Sequence, residues 1–368
     1  MPKAAVCQSV GAQLEILDVD LAAPKAGEVR VRIAASGVCH SDLSVQNGTL
    51  YSPIPIVLGH EGAGVIEEVG PGVTNLVPGD HVVISWVPQC GECYFCKRGQ
   101  GQLCEIGSTG LLTGGLLDGT PRFSYNGEHL HHMACSGTFA EATVIPAIGA
   151  VKIDPDMPLD RAALIGCSVL TGFGAATTTA DIRNGDVVVV IGCGGVGLNV
   201  IQGAKFAGAE RIIAIDMNET KLGLAHTFGA TDLLNASGDV DVTAEVLTMT
   251  LGRGADVTFE VIGLPATMRQ AISMARRGGQ AIMIGVPALD AKLELDAAMD
   301  IVIMEKQIRG CWYGGSNVQT DVPRLIELYN NGTLKLDELI SSEIALEDVN
   351  GAFEAMLGGE VARSVIRF

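Results

Sequence analysis

The sequence predicts an α/β protein in which a doubly wound parallel-sheet domain is inserted into a β-rich one. Three observations carry that reading. Apolar strand candidates alternate with helical stretches from about residue 180 to 312, a glycine-rich loop directly follows the first of those strands, and a strand-like Ser364-Val-Ile-Arg-Phe368 ends the chain after the alternation has stopped. A terminal strand in that place suggests that the chain returns to its first domain. The predicted domains are therefore 1–168 with 313–368, and 169–312.

The first half justifies the β-rich reading. Glu28-Val-Arg-Val-Arg-Ile33 alternates polar and apolar residues at period two, and Pro71-Gly72 and Pro78-Gly79-Asp80 are turn signals. The predicted strands of the inserted domain are Val187–Ile191, Ile212–Ile215, Asp232–Asn235, Val257–Ile262, Ala281–Val286 and Ile308–Trp312, with helices such as Val196–Ala207 and Ala266–Arg276 between them. Two further helical stretches follow, around Pro323–Asn330 and Glu347–Leu357.

Composition agrees with this and excludes several classes. The chain has 368 residues, 48% of them hydrophobic and only 4% aromatic, as strands of Ala, Val, Ile and Leu buried on both faces require. Charged residues make up 18%, which does not fit a disordered or coiled-coil chain. Against 42 Asp+Glu there are 24 Lys+Arg, a net charge of −18 that repels phosphodiester polymers and anionic lipid surfaces, so neither nucleic acid nor membrane is an expected partner. No uninterrupted apolar run reaches the ~18 residues of a membrane span. Met1-Pro2-Lys3-Ala4 does not open a secretory signal, and a cytoplasmic location is expected.

The glycine loop is Gly192-Cys-Gly194-Gly195-Val196-Gly197. Gly192 permits a tight turn, Gly194 lets backbone approach a pyrophosphate, and Gly197 lets the helix lie close on the strand, with the helix N-terminus facing phosphate charge. The motif alone is weak, but here a strand precedes it, a helix follows, and Asp216 ends the second strand. That acid is placed to accept the two hydroxyls of an adenosine ribose and to repel a 2′-phosphate, which favours NAD over NADP. Lys221 could reach the same ribose; an exposed helical lysine is the alternative.

The chain has ten cysteines, and four cluster as Cys90-x2-Cys93-x2-Cys96-x7-Cys104. Four thiolates saturate tetrahedral zinc and leave no open position, so a structural zinc is expected; an iron–sulfur centre or unliganded thiols are the alternatives. Cys39, His60 with adjacent Glu61, and Cys167 form a dispersed set. Two thiolates and one imidazole with a free fourth position suit a catalytic zinc, although each residue taken singly reads as structural.

With these motifs in order, the chain resembles the zinc-dependent medium-chain alcohol dehydrogenases along its whole length. Gly59-His60-Glu61-x2-Gly64-x-Ile66-x2-Val69-Gly70 is similar to that family's zinc signature, and the cysteine-rich lobe and glycine loop recur in the family's order. The resemblance implies a GroES-like, β-rich catalytic domain with a Rossmann domain inserted, two zinc ions per subunit and NAD. It implies that Cys39, His60 and Cys167 bind the catalytic zinc and that Glu61 is a nearby acid able to approach the metal. Asp42 would orient His60 and Ser41 would take the alcohol proton. His40 and Arg363 would contact the cofactor phosphates, and Thr171 would lie near the nicotinamide. The implied reaction is reversible oxidation of an alcohol by hydride transfer to NAD, with Lewis acidity from the metal.

Two departures from the family pattern bear on substrate and proton exit. Ser44 stands where many relatives have a histidine that passes the proton to solvent, and a serine is no base near pH 7. Leu50 stands where glutathione-dependent formaldehyde dehydrogenases have an acid, and with Trp86 it suggests a pocket for an uncharged chain or ring. Primary medium-chain or aromatic alcohols are the expected substrates. The alternatives are glutathione-dependent formaldehyde oxidation, or a nicotinoprotein that keeps its NAD. Glu105–His132 resembles the long loop of the family's dimeric branch, so a homodimer is expected, joined through the edge strand Ile308–Trp312. His129, His131 and His132 in that loop are expected to be solvated rather than metal-bound.

Overall fold

The computed structural model describes residues 1–359 and 361–368. The chain divides into two units, Met1–Ser168 with Asn317–Phe368, and Val169–Ser316. Residues 313–316, read from sequence as part of the first domain, thus fall in the second. Tyr313 is buried there, and a side chain at Gly174 would collide with the Gly314 carbonyl, 2.6 Å from its Cβ position.

The second unit is a six-stranded parallel sheet in the order Asp232–Asn235, Arg211–Asp216, Val187–Ile191, Ala255–Glu260, Ala275–Met283, Gln307–Gly310. Val187–Ile191 is buried throughout, which explains a run of β-branched residues with no polar alternation. Strand order reverses at this strand, so the crevice beyond its carboxyl end is where a doubly wound sheet takes its ligand. The glycine loop begins there, at Gly192. Val189, Ile191, Ile213, Ile215, Ala271 and Met274 form the core on one face of the sheet.

The first unit is organised by Glu28–Val38, an eleven-residue strand with antiparallel neighbours Glu61–Val69, Ala142–Pro146 and Ser364–Arg367. Its core includes Val29, Val31, Ile33, Ile66, Val82, Ile84 and Ile145. Ser364 pairs with Val38 and Gly37 with both Val365 and Glu61. The C-terminal segment therefore reaches the end of the strand that leads into Cys39.

Several elements differ from the sequence reading. A helical run over Leu159–Thr179, with π-helical turns at Ile165–Val169 and Ala175–Thr179, lies where none was foreseen. It is long and apolar enough to cross a membrane on composition, but 78% of its most apolar window is buried inside the protein, as in a core helix. The helix Val318–Asn330 starts before Pro323, because Val318, Val322, Leu325 and Ile326 bury one face and that packing outweighs the hydrogen bond proline cannot make.

The long loop is a built structure. It carries the helical turn Thr109–Thr113 and the hairpin Phe123–Tyr125/Glu128–His132, turning at Asn126-Gly127 with positive φ at both residues. Arg122 is buried, ion-pairs with Glu28, and reaches Asp118 at 2.9 Å. His132 is not solvated, as loop position suggested, but fully buried. Its Nε2 accepts the Arg122 N–H at 2.9 Å and its Nδ1 lies 3.2 Å from the Ser136 carbonyl, so the ring is neutral with the proton on Nδ1.

Burial pushes the His132 pKa down to about 3. The unfolded imidazole titrates near its usual ~6.5. Between those values only the unfolded chain takes up the proton, so stability is lost as pH falls through that window. From pH 8 to pH 5 this group should remove about 2 kcal/mol of stability. In urea unfolding, His132→Gln should show correspondingly less acid destabilisation than the native protein; an equal loss would contradict the assignment.

Candidate metal centres and cofactor loop

Cys39, His60 and Cys167 are all buried, and their ligand atoms lie within 4.8 Å of one another. The register of two antiparallel strands explains the first two. Gly37 pairs with Glu61, so Cys39, just past one strand, and His60, just before the other, emerge at the same end of the sheet. Cys167 arrives on the π-helical turn Ile165–Val169, which departs from regular α-helical spacing at the metal-ligand position. Its Sγ is 3.3 Å from His60 Nε2. A tetrahedral zinc with ~2.3 Å bonds to sulfur and ~2.0 Å to nitrogen would hold such atoms roughly 3.5 Å apart. The donor set fits zinc and leaves a fourth position for an exchangeable ligand.

Asp42 fixes this arrangement. It is fully buried; Oδ2 accepts the Cys39 N–H at 2.8 Å, and Oδ1 accepts the Gly59 N–H at 3.1 Å and faces His60 Nδ1 at 3.0 Å. As the third residue of the helix His40–Gln46, it also caps that helix's start. A proton on Nδ1 leaves the Nε2 lone pair for a metal. Burial disfavours the imidazolium, but the adjacent Asp42 carboxylate and the Cys39 thiolate outweigh it and raise the His60 pKa. Hydrogen bonding from Cys167 drives the Cys39 pKa well down, helped by Arg363, while the same hydrogen bond and burial push that of Cys167 up.

Glu61 is not among the converging ligands. Its Oε1 accepts the N–H and hydroxyl of Ser168, and its Oε2 faces Arg363 Nη1 at 3.7 Å. Arg363 is 5% exposed and donates to the Val38 carbonyl at 2.9 Å. It is a buried counter-charge for Glu61 and the thiolates. Ser41 is half-buried with its Oγ 3.9 Å from Cys39 Sγ, His40 is exposed, and Leu50 follows the same helix, its N–H bonded to the Ser44 carbonyl. Trp86 stands edge-on to the His60 ring, with centroids 6.2 Å apart.

Cys90, Cys93, Cys96 and Cys104 converge within 4.8 Å of one another. Backbone N–H groups point at their sulfurs, from Cys90 to Cys104 at 3.4 Å, from Cys93 to Cys90 at 3.4 Å and from Cys96 to Cys93 at 3.5 Å. Such donors stabilise thiolate charge, which suits a closed four-sulfur zinc site.

In the second unit Gly192 has a φ of +96°, a conformation disfavoured for side chains. A Cβ at Gly197 would overlap the Gly192 carbonyl, whereas a Cβ at Gly194 would meet nothing within 4 Å. The loop is therefore closed on the helix side and open at Gly194. Gly195 and Val196 open the helix Gly195–Phe206. Asp216 Oδ2 accepts the Cys193 N–H at 2.8 Å and Oδ1 accepts the Asn218 N–H, tying this acid to the loop; Asn218 in turn caps the helix carrying Lys221. Thr171 is half-buried in the helical turn Leu170–Gly174.

Known proteins share this architecture. The family model for the alcohol dehydrogenase GroES-like domain matches residues 25–155, and that for the zinc-binding dehydrogenase matches 195–331. The chain is 42% identical over 378 residues to an alcohol dehydrogenase class-3 from Cereibacter sphaeroides, covering 100% of this chain and 99% of the relative. An NDMA-dependent alcohol dehydrogenase from Amycolatopsis methanolica is 41% identical, with 99% and 98% covered, and an S-(hydroxymethyl)glutathione dehydrogenase from Paracoccus denitrificans is 40% identical, with 100% and 99% covered. Among solved structures, benzyl alcohol dehydrogenase from Acinetobacter calcoaceticus superposes with a TM-score of 0.93 at 30% identity, covering 100% of this chain and 99% of that one. The chain belongs to the zinc-dependent medium-chain alcohol dehydrogenases. Its cofactors are a structural zinc, a catalytic zinc and NAD, and it is an oxidoreductase.

Asp42→Asn should weaken zinc binding at the Cys39–His60–Cys167 site by about 10–100-fold and leave the four-cysteine site loaded. Metal analysis after graded chelation checks this; equal loss from both sites would contradict it.

Proposed function

We propose that the chain oxidises primary alcohols bearing a medium-length carbon chain or an aromatic ring to aldehydes, reversibly, with NAD as hydride acceptor. The observation that carries this reading is the apolar Trp86 ring edge-on to His60 at the metal site, and Leu50 after the helix of Ser41 adds an uncharged side chain where glutathione-dependent relatives have an acid. Neither side chain offers a charge to a glutathione carboxylate, which favours uncharged substrates. Zinc held by Cys39, His60 and Cys167 supplies the Lewis acidity that lowers the pKa of an alcohol hydroxyl.

The remaining roles belong to side chains. Asp42 keeps His60 oriented, and Ser41 takes the alcohol proton. Ser44 offers no base beyond it, so the proton leaves through water or another group. Gly192, Gly194, Gly195, Val196 and Gly197 hold the pyrophosphate, and Asp216 with Lys221 holds the adenosine ribose. Thr171 serves the nicotinamide, and His40 and Arg363 serve the phosphates. Cys90, Cys93, Cys96 and Cys104 hold the structural zinc.

We further propose a homodimer joined along Gln307–Gly310, a sheet-edge strand beside the exposed Val302 and Ile303. None of the ten cysteines is in a disulfide, which suits a reducing compartment, and the cytoplasm is the proposed location.

A panel of primary, aromatic and S-(hydroxymethyl)glutathione substrates, each with and without NAD, tests the reading by NADH absorbance. Continuous turnover of simple and aromatic alcohols, dependent on added NAD, is expected. Turnover confined to the glutathione adduct would replace the substrate class, and a stoichiometric burst without added NAD would mean a retained cofactor. Cys167→Ser should abolish turnover while leaving NADH binding, followed by fluorescence, within about twofold of native. Asp216→Ala should lower the preference for NAD over NADP; an unchanged kcat/KM ratio would remove Asp216 from the ribose site.

A further inference from the structure

Glu61 occupies a seat built from three sides. The residue is 0% exposed, and its carboxylate folds over Gly37 on the paired strand, where a Cβ would stand 2.7 Å from Oε2 and 2.8 Å from Cδ. Ser168 clamps the other oxygen twice, through its N–H at 3.0 Å and its hydroxyl at 2.5 Å. Oε2 has no hydrogen-bond partner among the described residues, and its nearest cationic group is Arg363 Nη1 at 3.7 Å.

The carboxylate is thus held firmly at one oxygen and weakly at the other. Glu61 follows His60 in the chain and Ser168 follows Cys167, so the clamp joins the immediate neighbours of two metal ligands. A buried carboxylate that loses a charge-assisted hydrogen bond must find another partner or bear the cost of desolvation. Besides Arg363, a divalent ion held by Cys39, His60 and Cys167, the neighbours of Glu61 and Ser168 in the chain, would attract it. A carboxylate arriving there competes with those ligands and opens a path for exchange.

We propose that Ser168 is a positioning residue that keeps the Glu61 carboxylate seated over Gly37, off the metal, and so slows exchange of the catalytic zinc. The proposal rests on assigning that zinc to Cys39, His60 and Cys167. No bond to carbon is made or broken; only the carboxylate's partner changes.

Zinc transfer from the holoenzyme to excess 4-(2-pyridylazo)resorcinol tests it, comparing the native protein with Ser168→Ala, Glu61→Gln and the double variant. Two release phases are expected, and Ser168→Ala should accelerate the phase of the catalytic site by about tenfold or more, leaving the four-cysteine phase unchanged. In the Glu61→Gln background the same change should add nothing, because an amide is no anionic ligand. Glu61→Gln alone should release zinc no faster than native, and this arm stands even if Ser168→Ala does not fold. Native-rate release from Ser168→Ala, equal acceleration with glutamine at 61, or faster release from Glu61→Gln alone would each overturn the proposal. Cys167→Ser separates the two claims: if it removes neither phase, the zinc assignment fails and the clamp with it, whereas its loss of one phase beside native-rate Ser168→Ala overturns the clamp alone.

Discussion

Asp42 gives its two oxygens to the Cys39 N–H, the Gly59 N–H and the His60 ring. These three groups lie at a helix start, in the link between the strands Ile56–Val57 and Glu61–Val69, and on an imidazole, and no solvent reaches the carboxylate that joins them. A buried charge is tolerable only when its lone pairs are satisfied, so each of the three donors depends on the other two being in place. The strand pairing of Gly37 with Glu61 brings Cys39 and His60 to one end of the sheet, and Asp42 converts that proximity into ligand geometry. The zinc chemistry of the family needs a ring with a committed tautomer, and here the backbone and the ring share the acid that supplies it.

Charge around the site is balanced by burial of both signs. The thiols of Cys39 and Cys167 and the carboxylates of Asp42 and Glu61 are enclosed with His60 and Arg363 in an otherwise acidic protein. Arg363 comes from the segment just before the terminal strand, whose pairing with Val38 sets its position. The return of the chain to the first unit therefore has an electrostatic consequence as well as a topological one. In the second unit, contact between Gly197 and the Gly192 carbonyl leaves no room for a side chain, while open space at Gly194 leaves room for a ligand.

How much was legible in the sequence follows from how local each signal is. The glycine loop, its flanking strand and Asp216 lie within one βαβ unit, so pattern and spacing suffice. The four-cysteine lobe is likewise contiguous. Cys39, His60 and Cys167 are far apart in the chain, and only the resemblance to a family joined them. The seat of Glu61 could not be read: it needs a strand register that sets Gly37 opposite it and a π-helical turn that presents Ser168. Apolar periodicity gave no warning of that turn, which lies inside a helical run that turn-and-strand texture did not reveal. Loop position suggests solvent for His132, whereas Arg122 and Ser136 give its ring buried partners. Local composition does not report contacts of that kind.

One chain holds two chemically different zinc sites, one closed by four sulfurs and one with two sulfurs, an imidazole and an exchangeable ligand. X-ray absorption at the zinc edge of the holoenzyme measures the average shell directly. Two such sites give two zinc ions per chain and, per zinc, about three sulfurs at ~2.3 Å with one lighter atom at ~2.0–2.1 Å. A shell of four sulfurs with a single zinc per chain would contradict it, leaving the structural site standing and removing the metal from Cys39, His60 and Cys167.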